Sequence, residues 1–225
     1  MKIIAIIGSP HGMKGNTAPI VNKILESAQN EGTQTEVFLL SELLVNPCKG
    51  CEVCCKTGKC VIDDDFIKIR NAMLDADGII LASPNHMYNV SAQMKALLDR
   101  CYSTCHCQTL KGKYSAAVVT SGGPDAGVGE EYLLYVLGKL GLWTVGSICA
   151  VIGQLADEEE RSKIMESAVS LGRRMVKAIK KKETFEDQEN ERNEFFEMVR
   201  AMITMQKDIW PYEYEYWKSH WGVEE

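Results

Sequence analysis

The chain has 225 residues, 45% of them hydrophobic, with 25 Lys and Arg against 31 Asp and Glu and a formal net charge of −6. That length suits one domain with at most an added arm, and the apolar share is ample for a buried core. The acidic balance argues against nucleic acid as the main partner, because a phosphate backbone calls for a basic surface.

The opening MKIIAIIGSP is a short apolar run closed by a turn signal. It is too short for a signal-peptide core or a membrane span, and it reads as a buried first strand over 2–7. The expected setting is therefore cytoplasmic, without membrane contact, where thiols stay reduced. Further strands are predicted over 35–39, 78–82, 114–120 and 143–151, and helices over 17–29, 65–75, 91–102, 129–140 and 158–181. Strands that are nearly continuous Ile and Val runs, alternating with helices, predict a doubly wound α/β fold around a parallel five-stranded sheet. In such sheets ligands bind beyond the carboxyl ends of the strands. That rule points to residues 8–17, 83–89 and 120–127.

The first of these loops, GSPHGMKGNT, joins a strand to a helix. Small residues let its backbone turn tightly and face N–H groups toward an anion, and the helix N-terminus behind adds partial positive charge. Ser9, His11, Asn16 and Thr17 are candidate side-chain donors. The plain alternative is a strand-to-helix turn capped by Asn16 or Thr17. The loop is neither the dinucleotide fingerprint nor the P-loop.

GSPHGMKGNT, SPNHMYNVSAQMKALLDR and VVTSGGPDAG together resemble the three flavin loops of the flavodoxin-like NAD(P)H-dependent FMN reductase superfamily, in the family's order. The resemblance implies a flavodoxin-like sheet of order 2-1-3-4-5 and bound FMN. It also implies that Ser9, His11, Asn16 and Thr17 hold the phosphate, while Pro84, Asn85, His86, Met87, Ser121, Gly122 and Gly123 line the ring. His11 stands where the family commonly has Arg or Lys, and the aromatic after the Ser-Pro turn is displaced to His86 or Tyr88. Those two residues are the candidate proton donors. NAD(P)H is the implied transient electron donor.

Five of the nine cysteines lie in CKGCEVCCKTGKC, residues 48–60. Closely spaced thiolates on one loop suit an iron–sulfur cluster, four thiolates equally suit structural zinc, and the loop could also hold reduced, unliganded thiols. Within the same superfamily the spacing resembles that of the iron–sulfur flavoproteins. By that match Cys48, Cys51, Cys54 and Cys60 hold a 4Fe–4S cluster, with Cys55 a spare or an alternative to Cys54. The following VIDDDF reads as a helix cap, with Asp63 to Asp65 near its N-terminus. CYSTCHC places Cys101, Cys105, His106 and Cys107 together, either as a further metal site or, the preferred reading, as small buried hydrophobes. Cys149 reads as core.

Residues 1–182 are expected to form the flavin domain and 183–225 a C-terminal arm. KKKETFEDQENE reads as a solvated linker or helix start, and FFEMVRAMITMQKDIW has helical spacing that Pro211 should end. YEYEYW alternates with a strand-like period. The arm's apolar face must dock on its own domain or on a neighbour. The second choice makes Trp210, Tyr212, Tyr216 and Trp217 anchors in a homo-oligomer, a dimer or tetramer by the family resemblance. The implied function is electron transfer through FMN and the cluster, bridging a one-electron carrier such as ferredoxin and a two-electron acceptor. The rivals are an NAD(P)H-dependent flavin, quinone or nitroaromatic reductase with an empty or zinc-bound cysteine loop, and a non-enzymatic redox sensor.

Overall fold

In the computed structural model, which describes residues 1–222, strands and helices alternate from the start. The first half runs β1 (Lys2–Ile7), α1 (Thr17–Asn30), β2 (Gln34–Leu39), α2 (Val53–Thr57), α3 (Phe66–Asp75), β3 (Gly78–His86), β4 (Asn89–Val90), α4 (Ala92–Arg100) and α5 (Tyr102–His106). The second half runs β5 (Tyr114–Ser121), α6 (Ala126–Lys139), β6 (Trp143–Val151), α7 (Ile152–Ala156), α8 (Glu158–Lys181), α9 (Glu186–Met205) and α10 (Pro211–Trp221).

The sheet has six strands rather than the five expected. Its main path, β2-β1-β3-β5-β6, is parallel throughout, and the sixth strand, the short β4, pairs antiparallel with the end of β3. Counting only the five long strands in chain order, the path is the expected 2-1-3-4-5. β1 shows why it is central. Ile4 and Ile6 face one layer while Ile3, Ala5 and Ile7 face the other, and all five are fully buried. α3, α4 and α6 cover the first face through Phe66, Met94 and Leu133; α1 and α8 cover the second through Ile24 and Met175. β2, at the sheet edge, is correspondingly less buried.

The predicted helix over 91–102 ends at Arg100 and gives way to the separate turn of α5. The arm departs further from expectation. Its first helix begins at Glu186 and stops at Met205, before Pro211. Pro211 instead opens α10, at a first-turn position where its missing N–H costs nothing. YEYEYW is thus helix, not strand. Trp210, Tyr214, Trp217 and Trp221 recur at intervals of four, three and four, and that spacing sets one aromatic face against the chain. Trp210 and Trp217, considered above as anchors on a neighbour, are buried within their own chain beside Phe196 and Cys55.

α1 and α8 cross at Gly172. A Cβ there would lie 2.4 Å from the Ile24 carbonyl oxygen, which is backbone and cannot swing aside. Gly172→Ala should therefore cost about 1–3 kcal/mol of stability from overpacking, even though alanine is the better helix former. Urea denaturation reads this directly; a midpoint at or above that of the parent chain would contradict it.

Candidate functional site

The three predicted loops meet at the carboxyl ends of β1, β3 and β5, and hydroxyl groups tie them together. Ser91 caps α4, accepting from the Met94 amide, while its hydroxyl donates to the Gly8 carbonyl at 2.6 Å. The Thr17 and Thr120 hydroxyls pair at 2.7 Å, joining the first loop to the third. Ser9 is buried and its Oγ accepts from the His11 amide at 3.3 Å. Asn16 precedes α1, is exposed and makes no capping bond with its side chain, so the capping alternative does not use it. His11 is likewise exposed.

Asn85 donates to the Ser121 hydroxyl at 3.3 Å and to the Asp125 carbonyl at 3.0 Å. Its other amide atom, Oδ1, is buried without a hydrogen-bond partner, a costly state unless a ligand supplies a donor. Gly122 and Gly123 face open space, with nothing within 4 Å of a built Cβ. His86, Met87, Tyr88 and Asn89 form the two-residue hairpin of β3 and β4, with Met87 and Tyr88 both in left-handed conformation. Non-glycine residues are uncommon there. Met87 is 91% and Tyr88 63% exposed, so the turn offers a polar-aromatic rim beside the half-buried Pro84. An orphaned acceptor, a serine-lined anion loop and an open glycine floor fit a planar, phosphorylated flavin.

The cysteine segment lies to one side. Cys48, Cys51, Cys54 and Cys60 line one cavity of about 180 Å³, which Arg70 and Arg100 also face. Cys55 is not among its lining residues and is fully buried in the arm's core, against which Cys54 also packs. A hydrogen bond with the Cys55 thiol, 4.0 Å away, lowers Cys54 to about 7, while the same pairing and burial push Cys55 up. Cys54 is therefore the more readily ionised of the two. Gly58, in left-handed conformation at the end of α2, lies under the Tyr212 ring, where a Cβ would sit 2.4 Å from ring carbons. The Trp210 indole donates to Glu52 at 3.2 Å. The arm thus shapes the loop's far side.

The loop's two ends are closed by residues that the sequence reading did not single out for this role. Arg100 and Asp64 form an ion pair at 2.9 Å with both side chains inaccessible to solvent. Arg100 also donates to the carbonyls of Asn46 and Ile62, on either side of the cysteines, and Asp64 accepts from the Asn46 and Phe66 amides. Asp64 thus does more than cap α3. Burial pushes its carboxyl up, but Arg100 and these amides outweigh that and hold it below the ordinary range. Arg100 is drawn down by burial and held above its ordinary value by Asp64 and Cys60. The only available signal was the pair of charged residues in otherwise explained segments.

The CYSTCHC thiols do not converge. Cys101 donates to Leu97, Cys105 to Lys139, and Cys107 pairs with Ser103. Burial raises them to about 12, 11 and 12, as suits inert core thiols. Cys149 is half-buried against the first core.

Residues 1–157 match the model of the NADPH-dependent FMN reductase family. The chain belongs to this family. As a family member it is a flavin-dependent oxidoreductase of flavodoxin-like fold, and FMN is the flavin the family supports. An iron-sulfur flavoprotein of Archaeoglobus fulgidus is 31% identical over 97% of this chain and 98% of its own length. An iron-sulfur flavoprotein of Methanocaldococcus jannaschii is 41% identical over 56% of this chain and 65% of its own. Among solved structures, an NADH:FMN oxidoreductase superposes with a TM-score of 0.58 at 22% identity, over 76% of this chain and 88% of that one. At that identity the likeness speaks to fold alone. No helix among the described residues is long and apolar enough to cross a membrane.

Removing the charge of Asp64 leaves Arg100 buried and uncompensated. Asp64→Asn should cost about 3–5 kcal/mol at pH 7. Because the folded pKa of Asp64 is depressed, its contribution is present above the unfolded value near 4 and is lost as pH falls further. The gap between parent and variant in denaturant titrations should narrow below about pH 4; a gap independent of pH would contradict the assignment.

Proposed function

We propose that this FMN reductase family member is an iron–sulfur flavoprotein that moves electrons between a one-electron carrier of the ferredoxin class and a two-electron acceptor. The observation that carries the reading is that Cys48, Cys51, Cys54 and Cys60 all line one cavity of a flavin-type fold. Four thiolates suit a 4Fe–4S cluster, and the flanking guanidinium group of Arg70 offsets part of its negative charge. Cys54 lines the cavity and fully buried Cys55 does not, which supports Cys54 as the third ligand. When bound, FMN exchanges electrons singly or as a hydride, and a cluster exchanges them one at a time.

The protein's own part is to bind, orient and protonate. Ser9, His11, Asn16 and Thr17, with the N-terminus of α1, hold the phosphate. Asn85 offers Oδ1 to a ring N–H, and Pro84, Met87, Ser121, Gly122 and Gly123 frame the ring. His86 and Tyr88 stand at the open rim, where either can deliver a proton from solvent. Residues 1–182 form the flavin domain and 183–225 the arm that braces the cluster loop. The working state is a cytoplasmic homo-oligomer in which a second copy covers exposed Val128 and Ile152. A monomer on a calibrated sizing column would contradict that last point.

A second reading is favoured by the family description, which names NADPH as donor. In it NAD(P)H reduces the flavin directly, for a flavin, quinone or nitroaromatic acceptor, and the cysteine loop is empty or zinc-bound. The two are separated by anaerobic flavin reduction with a reduced ferredoxin-class carrier. Cys54→Ser should slow that step about tenfold or more with FMN content unchanged. An equal rate in the variant, or rapid turnover with NAD(P)H alone in both proteins, would favour the second reading.

A further inference from the structure

Next to the four-thiol cavity but outside its lining, three side chains from distant segments meet. They are Cys55 on α2, His106 at the end of α5 and Glu213 on α10. Their potential ligand atoms all lie within 4.8 Å of one another. Relative exposures of 0%, 8% and 0% place them out of reach of bulk water.

We propose that Cys55, His106 and Glu213 form a second, mononuclear site for a zinc-class divalent cation, which staples α10 to the cysteine helix. Three features of the surroundings point to a ligand. First, the Glu213 carboxylate is under-satisfied: Oε2 meets His106 Nδ1 at 2.9 Å, while buried Oε1 has no hydrogen bond of good geometry and only the weak thiol donor of Cys55 near the carboxylate. A buried carboxylate oxygen without a partner is expensive, and a cation is the strongest partner it can have. Second, the imidazole is held in place. Tyr102 and Trp210 pack against it at centroid distances of 4.1 and 5.1 Å, and the Trp217 indole donates to the His106 carbonyl at 2.8 Å. Third, Cys55 does not line the cavity its four neighbours share, and its thiol lies with the His106 and Glu213 ligand atoms instead.

The donor set decides the class of ion. One thiolate, one imidazole and one carboxylate oxygen suit zinc, which takes sulfur, nitrogen and oxygen together, whereas magnesium and calcium select oxygen alone. Binding releases the Cys55 proton and replaces the direct contact between His106 and Glu213 with two bonds to the metal. Three protein ligands leave the fourth tetrahedral position to a small ligand such as water. The contact between His106 and Glu213, even with the Cys55 thiol beside the carboxylate, leaves buried Oε1 without a hydrogen bond of good geometry.

The site does not depend on what the four-thiol cavity holds, and the test keeps the two apart. Full-length chain prepared without oxygen is dialysed against metal-free buffer, and zinc, iron and FMN are counted per chain for the parent, Glu213→Gln and Cys55→Ala. The parent should retain zinc near one per chain. Both variants should lose it, their zinc affinity falling by more than about a hundredfold, beyond what an outer-shell partner is worth, with iron and FMN unchanged. Cobalt(II) added to metal-depleted parent should produce a thiolate-to-cobalt charge-transfer band, and zinc should raise its melting temperature, as a ligand specific to the folded state does. Depleted parent that takes up neither ion overturns the proposal whatever the variants do. Zinc that survives Glu213→Gln overturns it too, since that metal sits in the four-thiol cavity. Loss of iron in Cys55→Ala would assign this thiol to the cluster and overturn it as well.

Discussion

The buried pair of Arg100 and Asp64 is the constraint on which the site's arrangement rests. Two charges with no solvent access repay their desolvation only with close geometry and further hydrogen bonds, and here they have both. The bonds they make are to the backbone on either side of the cysteines, so the pair closes a loop of otherwise irregular chain at its base. The same helix, α4, carries Ser91 at its other end, hydrogen-bonded to the first flavin loop. Ser91 and Arg100 are nine residues apart, which on a helix is roughly 13 Å. One rigid element thereby sets the flavin loops and the cysteine loop at a fixed separation. That is what an electron path between two cofactors needs.

The arm completes the far side. Its helices form a third, separate core with Cys55, with Trp210 and Trp217 buried in it. Tyr212 closes over Gly58, so the loop is bounded by α4 below and α10 outside. The ionised tendency of Cys54 against the protonated tendency of Cys55 follows first from the hydrogen bond between the two thiols, with burial adding to it at Cys55.

How much of this was legible from the residues follows from the range of the interactions involved. Strands buried on both faces, such as β1, announce themselves as unbroken apolar runs, and the alternation with helices fixes the doubly wound class. The loops at the strand ends follow from that class. β4 was missed because its turn places Met87 and Tyr88 in left-handed conformation without the Asn-Gly or Asp-Gly signal of such hairpins. α10 was misread because its Tyr and Glu residues alternate with period two, while the deeper spacing of Trp210, Tyr214, Trp217 and Trp221 serves a helix. Asp64 with Arg100, and Cys55 with His106 and Glu213, join residues 36 and up to 158 positions apart. Local periodicity carries no information on contacts of that span.

Whether the chain holds a cluster and a flavin together is decided by the composition of the purified protein. Protein prepared without oxygen should contain about four irons and four acid-labile sulfides beside one FMN. FMN with neither iron nor sulfide in such a preparation would contradict the presence of the cluster.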